Sequence, residues 1–272
     1  MTLPRIGVFD SGVGGLTVLR ALEAQLPAHY FCFGDTARLP YGTKSAETVA
    51  RYAIGAAKFL EAKRIDLLVI ACNSATALAL PQITHAVQVP VLGVVEPGAA
   101  MASVVSKTRS AIVIATEATV SSHAYREALQ FRGMEAYEKA CPLFVPLVEE
   151  GWTDHPVTEQ IARIYLDEAI SASSGRADAL VLACTHYPLL APLLRRITPD
   201  QIHIVDSAES TAQAVTAMLP SLPMIAGGAQ AARIDHRTFT FFVTDSVEKF
   251  KRLATRFLGR RVDHVEHVDL GG

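Results

Sequence analysis

Short runs of consecutive apolar residues alternate along the chain with longer stretches in which apolar positions return at helical spacing. The first pattern is that of strands buried on both faces, and the second that of helices with one buried stripe. Their alternation predicts an α/β protein with mainly parallel sheets. The runs place strands at 5–9, 29–33, 66–71, 91–93, 111–115, 135–140, 178–183, 202–205 and 238–243. Helices are expected at 14–26, 45–63, 74–86, 97–107, 118–132, 156–173, 187–197, 208–219 and 246–258. Pro27 follows the first helix, Ser45 stands where it can cap the second, and Asp245-Ser246 precedes the last.

The pattern also repeats. Asp66-Leu-Leu-Val-Ile-Ala-Cys72 and Asp178-Ala-Leu-Val-Leu-Ala-Cys184 agree in spacing and residue type throughout, and each ends in a cysteine before a leucine-bearing helix. A weaker match relates Ile6-Gly-Val-Phe-Asp10 to Ala111-Ile-Val-Ile-Ala115. Two copies indicate a duplicated α/β unit and not a solenoid. In open α/β sheets ligands bind beyond the carboxyl ends of the strands, where both cysteines fall. The expected architecture is therefore two pseudo-symmetric three-layer α/β domains with mainly parallel sheets and the site at their interface. Cys72 and Cys184 then approach one ligand from opposite sides.

That symmetry suits racemisation at a carbon acid, which needs a base on one face and an acid on the other. A thiol with a reference pKa of about 8.5 reaches either form near neutrality after modest tuning. Asn73, Ser74 and Thr76 follow the first cysteine, and Thr185 and His186 the second, each at a helix entry. Asp10 and Ser11 end the first strand on the same edge as Cys72, so Asp10 is expected to assist Cys72 and His186 to assist Cys184. A buried cysteine at a strand end is ordinarily a small core residue. The matched setting in two copies outweighs that reading for Cys72 and Cys184, whereas Cys32 and Cys141 lack it and are read as structural.

The loop Asp10-Ser-Gly-Val-Gly-Gly-Leu-Thr17 partly matches a dinucleotide fingerprint, with Asp35 near the ribose-binding distance. Thr17 replaces the third glycine, however, and Asp10 sets an anion where a pyrophosphate would approach. The glycines are expected to give a tight turn and bare amides for a smaller anion. No histidine pair has metal-ligand spacing, and His123, His155 and His203 are read as solvated or structural. No lysine sits in a strand-end setting that suggests a pyridoxal Schiff base.

Composition narrows the classes further. The chain has 272 residues, of which 50% are hydrophobic and 19% charged, with a net charge of −2. This gives no electrostatic reason for a nucleic-acid or membrane-surface partner. The apolar runs 67–72 and 179–184 are too short to span a bilayer. The first strand pattern begins almost at Met1, so no secretory leader is expected. Four cysteines without a C-x-x-C pair suit a reducing cytoplasm. The cluster Arg256-Phe-Leu-Gly-Arg-Arg261 is expected to be a solvated surface.

At these residues the sequence resembles the glutamate racemases of bacterial peptidoglycan synthesis. The matching pieces are Ile6-Gly-Val-Phe-Asp-Ser-Gly-Val-Gly-Gly-Leu-Thr-Val18, Gly34-Asp-Thr-Ala-Arg-Leu-Pro-Tyr-Gly42, Ala71-Cys-Asn-Ser-Ala-Thr-Ala77, Pro146-Leu-Val-Glu-Glu-Gly151, Ala183-Cys-Thr-His-Tyr-Pro-Leu-Leu190 and Phe242-Val-Thr-Asp-Ser-Val-Glu-Lys-Phe250. The resemblance implies a cytoplasmic homodimer that acts on L- and D-glutamate without a cofactor or metal. It implies one domain from 1–96 completed by 208–272, and a second from 97–207. Cys72 and Cys184 become the proton donors and acceptors, Cys184 acting on the L and Cys72 on the D enantiomer, with Asp10, His186 and Glu149 as further catalytic groups. Asp10, Ser11, Pro40, Tyr41, Gly42, Asn73, Ser74, Thr76, Thr185 and His186 become the substrate-binding residues.

Departures from the family pattern are small. Ser74 and Thr76 exchange hydroxyl types, and Ala115 and Ala183 stand where glycine is common. With the first motif at Ile6, no wall-precursor activator site of the kind tied to an N-terminal extension is expected. The rival readings are an aspartate or hydantoin racemase, a binding protein such as the gyrase inhibitors reported among these racemases, and a redox or metal-binding dithiol protein.

Overall fold

The computed structural model describes residues 3–221 and 238–271. Residues 1–2, 272 and 222–237, the last within the stretch 208–272 expected to complete the first domain, lie outside the described residues. The first part of the chain runs β1 (Arg5–Asp10), α1 (Leu16–Gln25), β2 (His29–Gly34), α2 (Ala46–Glu61), β3 (Leu67–Ile70), α3 (Asn73–Ala86) and β4 (Val91–Gly93). The middle runs α4 (Val95–Val105), β5 (Ser110–Ala115), α5 (Glu117–Ser122), α6 (Ala124–Phe131), β6 (Glu135–Ala140), α7 (Phe144–Glu150), α8 (Pro156–Ala172), β7 (Ala179–Ala183), α9 (Ala191–Ile197) and β8 (His203–Asp206). The chain then returns through α10 (Ser207–Met218) to β9 (Thr238–Val243), α11 (Val247–Leu258) and β10 (Glu266–His267).

The strands form two sheets, ordered β10-β9-β2-β1-β3-β4 and β6-β5-β7-β8. Among the described residues every strand pair is parallel. The order β2-β1-β3-β4 recurs as β6-β5-β7-β8, so the sequence repeat is a repeat of topology, to which β9 and β10 add an edge in the first sheet. In each copy the order reverses at the first strand, at β1 beside β3 and at β5 beside β7. Those are the switch points beyond which open α/β sheets hold ligands. Cys72 and Cys184 directly follow the second strand of each pair.

Burial explains why the strands read as unbroken apolar runs. Leu67 to Ile70 and Ala179 to Ala183 are all fully buried, because helices cover both faces. Ile6, Val8, Leu67 and Val69 on one face share a continuous core with Ile112, Ile114, Leu180 and Leu182 of the other sheet. Phe9, Leu68 and Ile70 face α2 and α3 instead, and Val113 and Val181 face α4 and α6. Among the described residues no helix is long and apolar enough to cross a membrane.

The aspartate that opens each repeat has the same task in both halves. Asp66 Oδ2 accepts from the Arg5 amide at 2.8 Å, at the start of β1. Asp178 accepts from the Lys107 and Thr108 amides at 2.7 and 2.9 Å, and from the Ser106 and Thr108 hydroxyls at 2.5 and 2.8 Å, just before β5. Each carboxylate fixes the chain as it enters the first strand of its sheet.

Some expectations need correction. The helix expected over 118–132 is two helices, broken at His123 in the left-handed region with φ 57°. The first piece buries Thr119 and the second Tyr125, Ala128 and Leu129. The helix expected over 187–197 opens as a 3-10 turn, Tyr187–Leu190. Helix α7 gave no periodic signal, since it has seven residues and buries only Phe144 and Val148. Ser45 caps α2 as expected, accepting from the Thr48 amide. Ser246 makes no side-chain cap to α11; its own amide binds the Asp245 carboxylate at 2.6 Å. Arg256 is exposed but is more than solvated surface, because its guanidinium binds the Val148 and Glu149 carbonyls at the end of α7. Arg260 pairs with Glu23 at 3.0 Å and lies over the Phe239 ring.

Burial alone would raise the pKa of Asp178, but its hydrogen bonds from Ser106, Thr108 and Lys107 override that and hold it at about 2. A carboxyl held below its ordinary value stabilises the fold above that value and loses the contribution as pH falls through the folded pKa. Asp178→Ala is therefore expected to lower stability near neutrality by about 1–3 kcal/mol, through donors left unpaired. Denaturant unfolding at several pH values checks this. The gap between the native and variant proteins should close as pH falls from 3.8 towards about 2.

Candidate active site

The carboxyl ends of the two sheets meet, and the expected residues come together there from both halves. Asp10 ends β1 and is 4% exposed. Its Oδ2 accepts from the Gly12 amide at 2.9 Å, and its Oδ1 lies 3.5 Å from the Thr185 hydroxyl of the other half. Cys72 caps α3, its Sγ accepting from the Ala75 amide at 3.4 Å, with the Ser11 hydroxyl 3.5 Å away. Cys184 occupies the matching turn after β7. Both thiols are 5% exposed, and all four cysteines are free.

The glycine-rich loop forms the expected turn and has a second role in packing. None of Gly12, Gly14 and Gly15 has a positive φ, so no left-handed turn is involved. A side chain on Gly14 would overlap the Thr185 hydroxyl and the His186 ring, and one on Gly15 would meet Asp10 at 2.5 Å. The glycines thus permit the close approach of the second half. The amides of Gly12 and Gly15 do bind an anion, but it is the carboxylate of Asp10. Thr17, at the position of the absent third glycine, sets its hydroxyl 2.9 Å from both the Gly14 and Thr185 carbonyls.

On the opposite side, the Ser74 hydroxyl lies 2.9 Å from that of Thr116 and 3.3 Å from that of Thr119. The Asn73 Oδ1 accepts from the buried Tyr125 phenol at 2.7 Å. Thr116 follows β5 as Ser11 follows β1, and sequence reading missed it. The weak match of Ile6–Asp10 to Ala111–Ala115 held the signal, since it aligns Ser11 with Thr116. Gly42 packs against Thr116, where an added Cβ would sit 3.0 Å from the threonine Cβ.

Two expected contacts have their hydroxyls engaged elsewhere. Tyr41 is buried and donates to Asp35 at 2.5 Å, beside exposed Pro40. Asp35 also accepts from Thr244, and so anchors the 40–42 loop. Thr76 donates to the Ile70 carbonyl at 3.0 Å and lies 3.4 Å from the Val94 amide.

The second cysteine has its own charged neighbours. His186 Nε2 lies 3.4 Å from Glu149 Oε1, and Lys249 of α11 pairs with Glu149 Oε2 at 3.4 Å. The His186 hydrogen bond, together with the His186 and Lys249 charges, outweighs burial and lowers the Glu149 pKa. The His186 ring packs edge-on to Phe257.

Both thiols are held protonated at rest. Burial, and then the Asp10 charge, push Cys72 up to about 11, although the Ser11 hydroxyl and the Ala75 amide oppose them. Burial pushes Cys184 higher still; the His186 amide opposes it, and charges on Cys72 and Asp10 add to it. Burial also raises Asp10, opposed by the His186 charge and the Gly12 and Gly15 amides. The two thiols and Asp10 therefore share one electrostatic environment, in which a single negative charge is tolerated better than two. Cys141, at the end of β6, is raised to about 12 by burial, and Cys32 is also raised by burial. Among the described residues no group of three or more His, Cys, Asp and Glu side chains could hold a metal ion. Iodoacetamide labelling read by peptide mass spectrometry is expected to be slow at pH 7 and to rise for Cys72 with every pH unit towards about 11, with Cys184 slower throughout. A plateau below pH 8 for either thiol would contradict the burial argument.

The Asp/Glu/Hydantoin racemase family matches residues 6–215. The chain is 59% identical to the glutamate racemase of Koribacter versatilis, over 99% of this chain and 98% of that one. It superposes with a TM-score of 0.84 on the Thermus thermophilus glutamate racemase solved with β-chloro-D-alanine, at 43% identity over 98% of this chain and 97% of that one. The Francisella tularensis glutamate racemase solved with D-glutamate gives 0.86 at 31% identity, covering 99% of both chains. With its fold, its paired strand-end cysteines and this likeness along its whole length, the chain belongs to the Asp/Glu/Hydantoin racemase family and, within it, to the glutamate racemases.

Proposed function

We propose that the chain interconverts L- and D-glutamate without a cofactor, with Cys72 and Cys184 each serving one face of Cα. The observation that carries this reading is the pair of buried thiols at equivalent strand ends of a duplicated unit, coupled across one site. The identity to glutamate racemases along the whole chain, and the D-glutamate complex of the Francisella enzyme, support glutamate over aspartate.

Cys184 as thiolate removes the Cα proton of L-glutamate, and the electron pair left behind spreads into the adjoining carboxylate. The Cys72 thiol delivers its proton to the opposite face. One proton leaves and one arrives, so D-glutamate is formed and Cys72 is left as the thiolate that starts the reverse reaction. Asp10, raised in pKa beside Cys72, can take the Cys72 proton; the site then keeps one negative charge instead of gaining a second. His186, backed by Glu149, does the corresponding work for Cys184. Asn73 Nδ2 is buried without a partner and offers an unused donor to substrate. The hydroxyls of Ser11, Ser74, Thr116 and Thr185 serve as neutral donors for the carboxylates, with Pro40, Tyr41 and Gly42 forming the adjoining wall and Thr76 in the first turn of α3. Free cysteines suit the cytoplasm, where the product feeds peptidoglycan synthesis. We further assign the chain two domains, 1–96 with 208–272 and 97–207, and a homodimeric state.

Incubation of the reduced protein with either enantiomer in deuterated water should abolish the circular dichroism of glutamate and place deuterium at Cα. Cys72→Ser and Cys184→Ser are each expected to lower kcat by about 10²–10⁴-fold, the loss of one acid–base partner. Asp10→Asn should slow the reaction from D-glutamate more than that from L-glutamate. Unchanged rates in either serine variant, or no Cα exchange with the native protein, would overturn the assignment.

A further inference from the structure

We infer that Tyr125 is a positioning residue that fixes the orientation of the Asn73 carboxamide, so that its Nδ2 and not its Oδ1 faces the substrate. This inference rests on the racemase reading of the site. Tyr125 lies on α6 of the second half and is fully buried, whereas Asn73 opens α3 of the first half and is 3% exposed. The phenol donates to Asn73 Oδ1 at 2.7 Å, which leaves Nδ2 as a buried donor with no partner in the protein.

A carboxamide has two nearly isosteric ends with opposite hydrogen-bonding character. Rotation by half a turn would present an acceptor to an anionic substrate and repel it. A phenol can pair with either end, but the Tyr125 hydroxyl donates to Oδ1 and so holds that end as the acceptor. The orphaned Nδ2 has the same meaning, because a buried donor without a partner is costly and is retained where a ligand completes it.

The phenol itself has little freedom. Gly98 of α4 lies against it, and a Cβ there would come within 3.2 Å of both Tyr125 Cε1 and the hydroxyl oxygen. The contact also matches the one around the other cysteine. The residue after Cys184, Thr185, is held by Asp10 and Thr17 of the first half, and the residue after Cys72, Asn73, is held by Tyr125 of the second. Each cysteine is thus followed by a polar residue oriented from the opposite half.

The test is Tyr125→Phe, which keeps the ring and removes only the hydroxyl. KM for both glutamate enantiomers is expected to rise about tenfold, the worth of one well-placed hydrogen bond, with kcat within about twofold of native. A merely structural tyrosine would give the same loss in any background. Here the KM effect should vanish when Tyr125→Phe is added to Asn73→Ala. Gly98→Ala, which presses on the phenol from behind, provides a second route to the same KM rise and the same dependence on Asn73, should Tyr125→Phe prove unstable in thermal unfolding. An unchanged KM in folded Tyr125→Phe, or an equal loss with and without Asn73, would overturn the inference while leaving racemisation by the native protein intact. Native protein that does not racemise glutamate would instead remove the functional reading on which it rests.

Discussion

The site is held by hydrogen bonds that cross between the two halves at their strand ends. Thr185 reaches Asp10 and Thr17 on one side of the pair of cysteines, while Asn73 and Ser74 reach Tyr125 and Thr116 on the other. Each half contributes part of the polar set around the pair of thiols. The glycines of the first loop follow from the same requirement, since Gly14 stands where Thr185 and His186 come against the backbone. Duplication supplies two equivalent strand ends, but these crossings convert two sheet edges into one enclosed environment. Proton transfer between fixed positions needs such enclosure, because small displacements of an acid or base cost large factors in rate.

Enclosure sets the electrostatics. A thiol in water ionises readily enough to serve as a base, whereas a buried thiol beside a carboxylate does not. Both effects act here, on Cys72 through burial and Asp10, and on Cys184 through burial and the other charges of the site. The resting arrangement therefore favours thiols, and a thiolate arises only where another group takes its proton or a cationic group of the substrate enters. The dry setting that makes ionisation costly also makes the thiolate a stronger base once formed. The helix entry behind each cysteine and the amides of Ala75 and His186 offset part of the burial cost.

Much of this arrangement was readable in the sequence because the signals that carried it are local. Runs such as Leu67 to Ile70 admit one interpretation when both faces of a strand are covered, and the matched Asp-to-Cys segments exposed the duplication directly. The repeat even marked Asp66 and Asp178, whose shared work of anchoring the first strand of each sheet emerges only in the folded structure. What escaped was non-local or short. Tyr125 and Asn73 are 52 positions apart, and nothing in the spacing of either predicts their bond. Thr116 lies in the less similar arm of the repeat, and α7, which carries Glu149, is too short for its period to register. Arg256 belongs to a basic cluster that composition alone assigns to solvent, yet it closes the end of that helix. In the glycine-rich loop the motif marked the turn but not its packing, for Gly14 admits the other half and the Gly12 amide holds Asp10.

In the proposed mechanism one substrate carbon lies between two thiols that belong to different halves. A crystal structure of the protein with D-glutamate tests it most directly. The Cα is expected between the Cys72 and Cys184 sulfurs, one on each face, with a substrate carboxylate against Asn73 Nδ2 and the threonine and serine hydroxyls. D-glutamate bound away from this junction, or with both sulfurs on one face of Cα, would contradict it.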